Sequence, residues 1–113
     1  MTRYFTLLYY VGDNFAARRA PFRDGHLHLV REAHARGELI LAGALGDPID
    51  RALLVFRATD RTTAERFARA DPYVLNGLVN RWEVQPWAVV IGLQAGDFDP
   101  LERTSAASTR VEQ

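Results

Sequence analysis

The chain has no cysteine among its 113 residues. Disulfide scaffolds, thiolate nucleophiles and Cys-ligated zinc are excluded by that absence. It also has no lysine: all fourteen of the Lys+Arg total are arginine. Schiff-base chemistry and a lysine general base are therefore excluded as well. Net charge is absent too, with 14 basic against 14 acidic residues. Nothing in that balance draws the chain toward nucleic acid or an anionic membrane surface. No apolar run approaches the ~20 residues of a membrane-spanning helix. The first residues lack an apolar core followed by a small-residue cleavage site, so the expected location is the cytoplasm. Arginine in place of every lysine, with many alanines, points to a GC-rich bacterial genome and carries no function.

What is present reads as one globular unit. Residues 3–11 are aromatic and β-branched on both alternating faces: Phe5, Leu7, Tyr9 and Val11 on one, Tyr4, Leu8 and Tyr10 on the other. A strand of that kind is covered on both sides. Gly12-Asp13-Asn14 ends it, and residues 15–21 read as a loop. Over 22–36, Phe22, His26, Leu29, Val30 and Ala33 share one helical face, with Pro21 at the start and Gly37 as the cap. Residues 38–45 and 51–58 read as a strand hairpin turned at Gly46-Asp47-Pro48. A helix over 62–70 has the capping-box spacing Thr62-Thr-Ala-Glu65 and an inward set of Ala64, Phe67 and Ala68. Asp71-Pro72 breaks it, a short turn runs to Gly77, and residues 80–91 read as a fourth strand with Pro86 at an edge or bulge. Residues 97–113 are small and polar and read as a mobile tail, leaving 1–96 as the domain.

The order is βαββαβ, an α+β pattern that gives a four-stranded antiparallel sheet with two helices on one face. Two helices cover only one side of a sheet whose strands are apolar on both. The expectation is a homodimer packed through the free sheet face.

His26 is the most informative single residue. It sits in the middle of an apolar stripe, where an imidazole without a hydrogen-bond partner costs ~1–3 kcal/mol. A core histidine bonded to a backbone carbonyl is the commoner arrangement; a proton-transfer group is the alternative. Arg23, one helical turn earlier, offers a cation near it or a solvated surface charge. Asp71 precedes a proline that keeps it out of helical geometry, and can cap the next turn or orient an imidazole. Tyr4, Tyr9, Tyr10 and Tyr73 read mainly as packing residues with one polar end. His26 and His28 point ~200° apart on a helix, and His34 lies two turns on, so no metal site is expected.

Four segments in order resemble the YciI-like (YCII-related) family: Arg23-Asp-Gly-His26-Leu27, Gly37-Glu-Leu-Ile-Leu-Ala-Gly43, Ala70-Asp71-Pro72-Tyr73-Val74 and Val84-Gln-Pro-Trp87. The first resembles the family's Arg-x-x-His-Leu, the third its Ala-Asp-Pro-[Tyr/Phe], and the likeness spans about residues 3–91. The resemblance implies a ferredoxin-like fold of the dimeric α+β barrel superfamily. It also implies a His–Asp pair in a pocket, carried here onto His26 and Asp71 as catalytic residues, with Arg23 and Tyr73 as neighbouring substrate-binding positions. One branch of the family is a dehydrochlorinase acting on a chlorinated hydroxyhydroquinone; the wider superfamily includes muconolactone isomerases and cofactor-independent monooxygenases. The chain departs from the family at Ala42-Gly43-Ala44, where Ala-Gly-Pro is frequent, and at Asp24-Gly25, where Pro-Ala is frequent. Both border the expected pocket, so no substrate identity is implied. The expected function is a cofactor-free lyase or isomerase moving a proton on a small hydroxylated metabolite, aromatic ones included. A non-catalytic dimer binding a metabolite or a protein, and a cofactor-free monooxygenase, stand as alternatives.

Overall fold

The inward side of the first strand, β1 (Arg3–Val11), sets the middle of the molecule. Phe5, Leu7 and Tyr9 are 3%, 0% and 1% exposed, whereas the residues between them keep partial access to solvent. The computed structural model describes residues 2–92; the tail expected over 97–113 lies outside the described residues. Along the chain follow α1 (Phe15–Arg18), α2 (Ala20–Ala35), β2 (Leu39–Leu45), β3 (Arg51–Ala58), α3 (Thr62–Ala70), α4 (Pro72–Leu75) and β4 (Val79–Trp87).

The strands form one antiparallel sheet in the order β2-β3-β1-β4, the ferredoxin-like arrangement, with the helices on one side. Register places Leu7 between Leu54 and Val84, and Phe5 opposite Phe56, so the inward residues of three strands meet in one layer. Ala33 of α2 and Ala64, Phe67 and Ala68 of α3 close over that layer. Phe56 and Phe67 meet edge to face with ring centres 5.3 Å apart. Each large apolar side chain buried there contributes ~1.5–3 kcal/mol.

Local chemistry explains the boundaries. Gly37 adopts φ +80°, a left-handed conformation free of Cβ strain, while Gly37 N–H bonds the His34 carbonyl and Glu38 N–H the Ala33 carbonyl. That pair of bonds is a Schellman close for α2. Gly46, at φ +97°, has no room for a side chain: a Cβ would lie 2.7 Å from the Pro48 carbonyl. Pro86 sits in β4, an edge strand, where the missing N–H is tolerated.

Three expectations are corrected. The loop expected over 15–21 contains α1, started by Asn14 at φ 61°, and α2 begins at Ala20, with Pro21 in its first turn. The capping box at Thr62 does not form: Asp60 accepts the Thr62 N–H at 2.9 Å, and Glu65 pairs with Arg61. Asp60 accepts both the Thr62 N–H and the Thr62 hydroxyl proton, and the Glu65 N–H bonds the Arg61 carbonyl, so neither half of the box has its donor left. β4 stops at Trp87, not 91, because its partner β1 runs out: Trp87 pairs with Tyr4 at the beginning of β1.

Among the described residues, the other side of the sheet carries no helix. Tyr4, Leu8 and Tyr10 of β1 share it with Leu53 and Val55 of β3, and with Leu41 and Trp87, which are 68% and 45% exposed. Trp82, paired with Tyr9, lies on the helix side instead.

Leu7 is fully buried in a central strand, so Leu7→Ala is expected to lower unfolding free energy by ~2–5 kcal/mol in a urea titration, through lost burial and the cavity left behind.

Candidate active site

The site forms where α2, the α3–α4 break and β1 converge. On α2, Phe22, Leu29 and Val30 pack against the core, and His26 lies on the same stripe with its side chain 15% exposed. Asp71 ends α3 with φ −72° and ψ 124°, the extended geometry imposed by the following proline. Its side chain turns back and accepts the Tyr73 N–H at 3.0 Å, capping α4. The same carboxylate, wholly buried, faces His26 Nδ1 at 3.0 and 2.9 Å. The capping and imidazole-orienting roles weighed for Asp71 are therefore both available to one side chain.

Gly25 helps bring the two helices together. A Cβ there would lie 3.2 Å from the Pro72 ring, tighter than ordinary contact. With hydrogen alone, α2 comes close to the start of α4, and the adjoining residues, His26 and Asp71, meet.

A third group reaches the carboxylate from the sheet. The Tyr9 hydroxyl donates to Asp71 Oδ2 at 2.7 Å. Burial, followed by the charge and hydrogen bond of Asp71, pushes the Tyr9 phenol far above its ordinary range. Among the described residues no buried side-chain nitrogen or oxygen lacks a partner.

Tyr73 stacks flat on His26, with ring centres 3.9 Å apart and planes 12° from parallel. Phe15 of α1 meets the Tyr73 ring edge-on at 5.3 Å. Arg23 lies beside the Tyr73 phenol. Burial raises the pKa of that phenol, and the charges of Arg23 and Arg19 oppose the shift. The Arg19 guanidinium also lies 5.7 Å from the Phe15 ring. All four residues singled out in the sequence thus meet in one place: His26, Asp71 and Tyr73 in direct contact, Arg23 joined to them through Tyr73.

Two members went unassigned. Tyr9 read as packing, although a phenol in the inward register of a buried strand needs an acceptor and so signals a buried polar partner. Arg19 was lost in the expected loop; once α2 starts at Ala20, residues 19, 23 and 26 follow helical spacing. His28 faces away, pairing with Glu32 at 3.4 Å in an exposed position. Among the described residues no group of three or more His, Asp or Glu converges as a metal site. A separate half-open cleft of about 280 Å³ lies between α2 and α3, bordered by Leu29, Phe67, Arg36 and Arg66; His26 and Asp71 do not line it.

The YCII-related domain model matches residues 2–88. The chain belongs to the YCII-related family. No curated protein matches it. Among solved structures, it is similar to the 5-chloro-2-hydroxyhydroquinone dehydrochlorinase of Burkholderia phenoliruptrix AC1100, in complex with 2,5-dihydroxybenzoquinone. That likeness has a TM-score of 0.63 at 17% identity, covering 75% of this chain and 93% of that one. A protein from Agrobacterium tumefaciens is similar at TM-score 0.44 and 21% identity, with 78% and 92% covered. A dimeric ferredoxin-like protein from an uncultured marine organism is similar at TM-score 0.39 and 11% identity, with 83% and 99% covered. At 17% identity the likeness to the dehydrochlorinase shows the fold alone. For this YCII-related chain, among the described residues, no helix is long and apolar enough to cross a membrane.

The Tyr9 bond gives the site a defined alkaline limit. Its phenol titrates at about 10.0 when unperturbed and is pushed upward in the fold. The folded state therefore holds the proton more tightly than the unfolded state does. This contribution to stability is whole below pH 10 and lost as pH rises above it. In an absorbance titration Tyr9 is expected to ionise only together with the loss of far-ultraviolet circular dichroism; ionisation near pH 10 with the fold intact would contradict its burial against Asp71.

Proposed function

We propose that this chain is a small cofactor-independent enzyme of the YCII-related family that moves a proton through a His26–Asp71 pair. The observation that carries the reading is the buried Asp71 carboxylate facing His26 Nδ1 at 2.9 Å. An acid fixed on one ring nitrogen leaves the other, Nε2, to take and return a substrate proton, while the carboxylate orients the ring and stabilises the imidazolium. Arg23 steadies an anionic or enolate-like oxygen formed as the proton leaves, and Tyr73 holds the flat face of the imidazole and contacts the substrate beside it.

The reaction class is elimination or isomerisation on a small hydroxylated metabolite, aromatic ones included. In the elimination, Nε2 takes a proton from the substrate, the electron pair forms the new π bond, and the leaving group departs as an anion. Each such step is closed-shell proton chemistry and needs no added cofactor. The shared fold with a dehydrochlorinase supports this class. The proposed domain is residues 1–96, with a polar tail beyond, working in the cytoplasm.

The proposed assembly is a homodimer through the open sheet face. Its support is the row of Tyr4, Leu8, Leu53 and Leu41 on a side that no helix among the described residues covers.

Chloride release from 5-chloro-2-hydroxyhydroquinone without oxygen, together with a panel of other hydroxyquinols and lactones, tests the chemistry. On any probe that turns over, His26→Ala is expected to lower kcat by ~10²–10⁴-fold, the usual worth of a general acid or base, and Asp71→Asn to lower it as well. Full turnover in both variants would remove these roles, and oxygen uptake would favour a monooxygenase. Light scattering at micromolar concentration tests the assembly: the wild type is expected at twice the chain mass. Leu8→Arg, in the middle of the open face, is expected at the monomer mass with its circular dichroism unchanged.

A further inference from the structure

Asp71 is read above as the partner of His26, but the geometry shows that it does not act alone. Its two oxygens are held by different parts of the fold. Oδ1 takes the Tyr73 N–H at 3.0 Å, from the start of α4. Oδ2 takes the Tyr9 hydroxyl at 2.7 Å, from the central strand 62 residues away. His26 Nδ1 lies nearly equidistant from both, at 3.0 and 2.9 Å. A carboxylate offers about four acceptor positions and no donor. A backbone N–H can only donate, and the Tyr9 hydroxyl spends its proton on Oδ2. With both oxygens already turned toward donors, His26 completes the set by donating from Nδ1.

We propose that Tyr9 is a positioning residue: its hydroxyl pins one oxygen of Asp71 and so holds the carboxylate where it keeps the proton on Nδ1 of His26. This role rests on the proton-transfer reading of His26. Nδ1 is protonated toward the carboxylate, and Nε2 is bare in the neutral ring, the tautomer a general base requires. Packing alone does not call for a hydroxyl here. Phe5 and Leu7 fill the same inward row of β1 without one, and Tyr9 is only 1% exposed. A phenylalanine in its place would keep the apolar contacts and leave Oδ2 short of one donor inside the protein. The carboxylate would then be free to turn about its Tyr73 anchor, and the imidazole with it.

Histidine ¹⁵N NMR on the full chain, at a pH where the ring is neutral, tests this without a substrate. In the wild type His26 is expected with a protonated Nδ1 and a bare Nε2. The Tyr9 hydroxyl proton is expected as a slowly exchanging signal in contact with the Nδ1 proton. In Tyr9→Phe, exchange of the Nδ1 proton with water is expected to quicken about tenfold, the low end for losing a hydrogen bond to a charged group. On any probe the wild type turns over, kcat should fall by a similar factor with KM unchanged. A wild-type His26 in the opposite tautomer, or without contact to the Tyr9 hydroxyl proton, would overturn the proposal even if Tyr9→Phe does not fold. So would a folded Tyr9→Phe with wild-type Nδ1 exchange. Full turnover by His26→Ala would instead defeat the proton-transfer reading of His26, while the tautomer and the Tyr9 contact are decided by the NMR signals alone.

Discussion

A single buried carboxylate organises this molecule. Asp71 has no exposed surface, and a lone charge in that position would be strongly unfavourable. It is tolerated because a backbone N–H, a phenol and an imidazole surround it, each supplied by a different element. The central strand, the long helix α2 and the break after α3 are therefore tied to one another through the same two oxygens. Packing brings these elements together; Asp71 fixes how they stand to within hydrogen-bonding distance.

The layers around it follow from simpler physics. Alternation along β1 and β3 fills one side of the sheet with Phe5, Leu7, Leu54 and Phe56, which the helices cover. The opposite alternation leaves Leu8 and Leu53 on a side with no helix among the described residues. The site lies in the covered layer, where neighbours are dense and polar groups must be partnered.

Much of this was legible in the sequence because it depends on local rules. The strands and the hairpin were legible in period-two runs and turn residues. The place of His26 came from the spacing of Phe22, Leu29, Val30 and Ala33, and the break at Asp71 from the proline after it. Motif resemblance then joined residues 45 positions apart, which spacing alone does not do. What was hidden depended on long-range or competing contacts. Tyr9 looks like any inward aromatic until the fold sets Asp71 before it. Thr62 has the right spacing for a cap but loses its role to Asp60. The start of α2 was misplaced because one turn of helix at Phe15–Arg18 is too short to show a period, and Arg19 was overlooked with it.

Pro86 has a consequence beyond its own strand. β4 forms one margin of the sheet, and strand margins offer rows of backbone donors and acceptors to any extended chain that drifts past. A proline there withholds one donor and interrupts the row. Extension of the sheet from molecule to molecule is discouraged along that margin, which guards a chain of zero net charge against fibrous growth. Encounters between copies are steered instead toward broad surfaces, where side chains rather than backbone decide which contacts last.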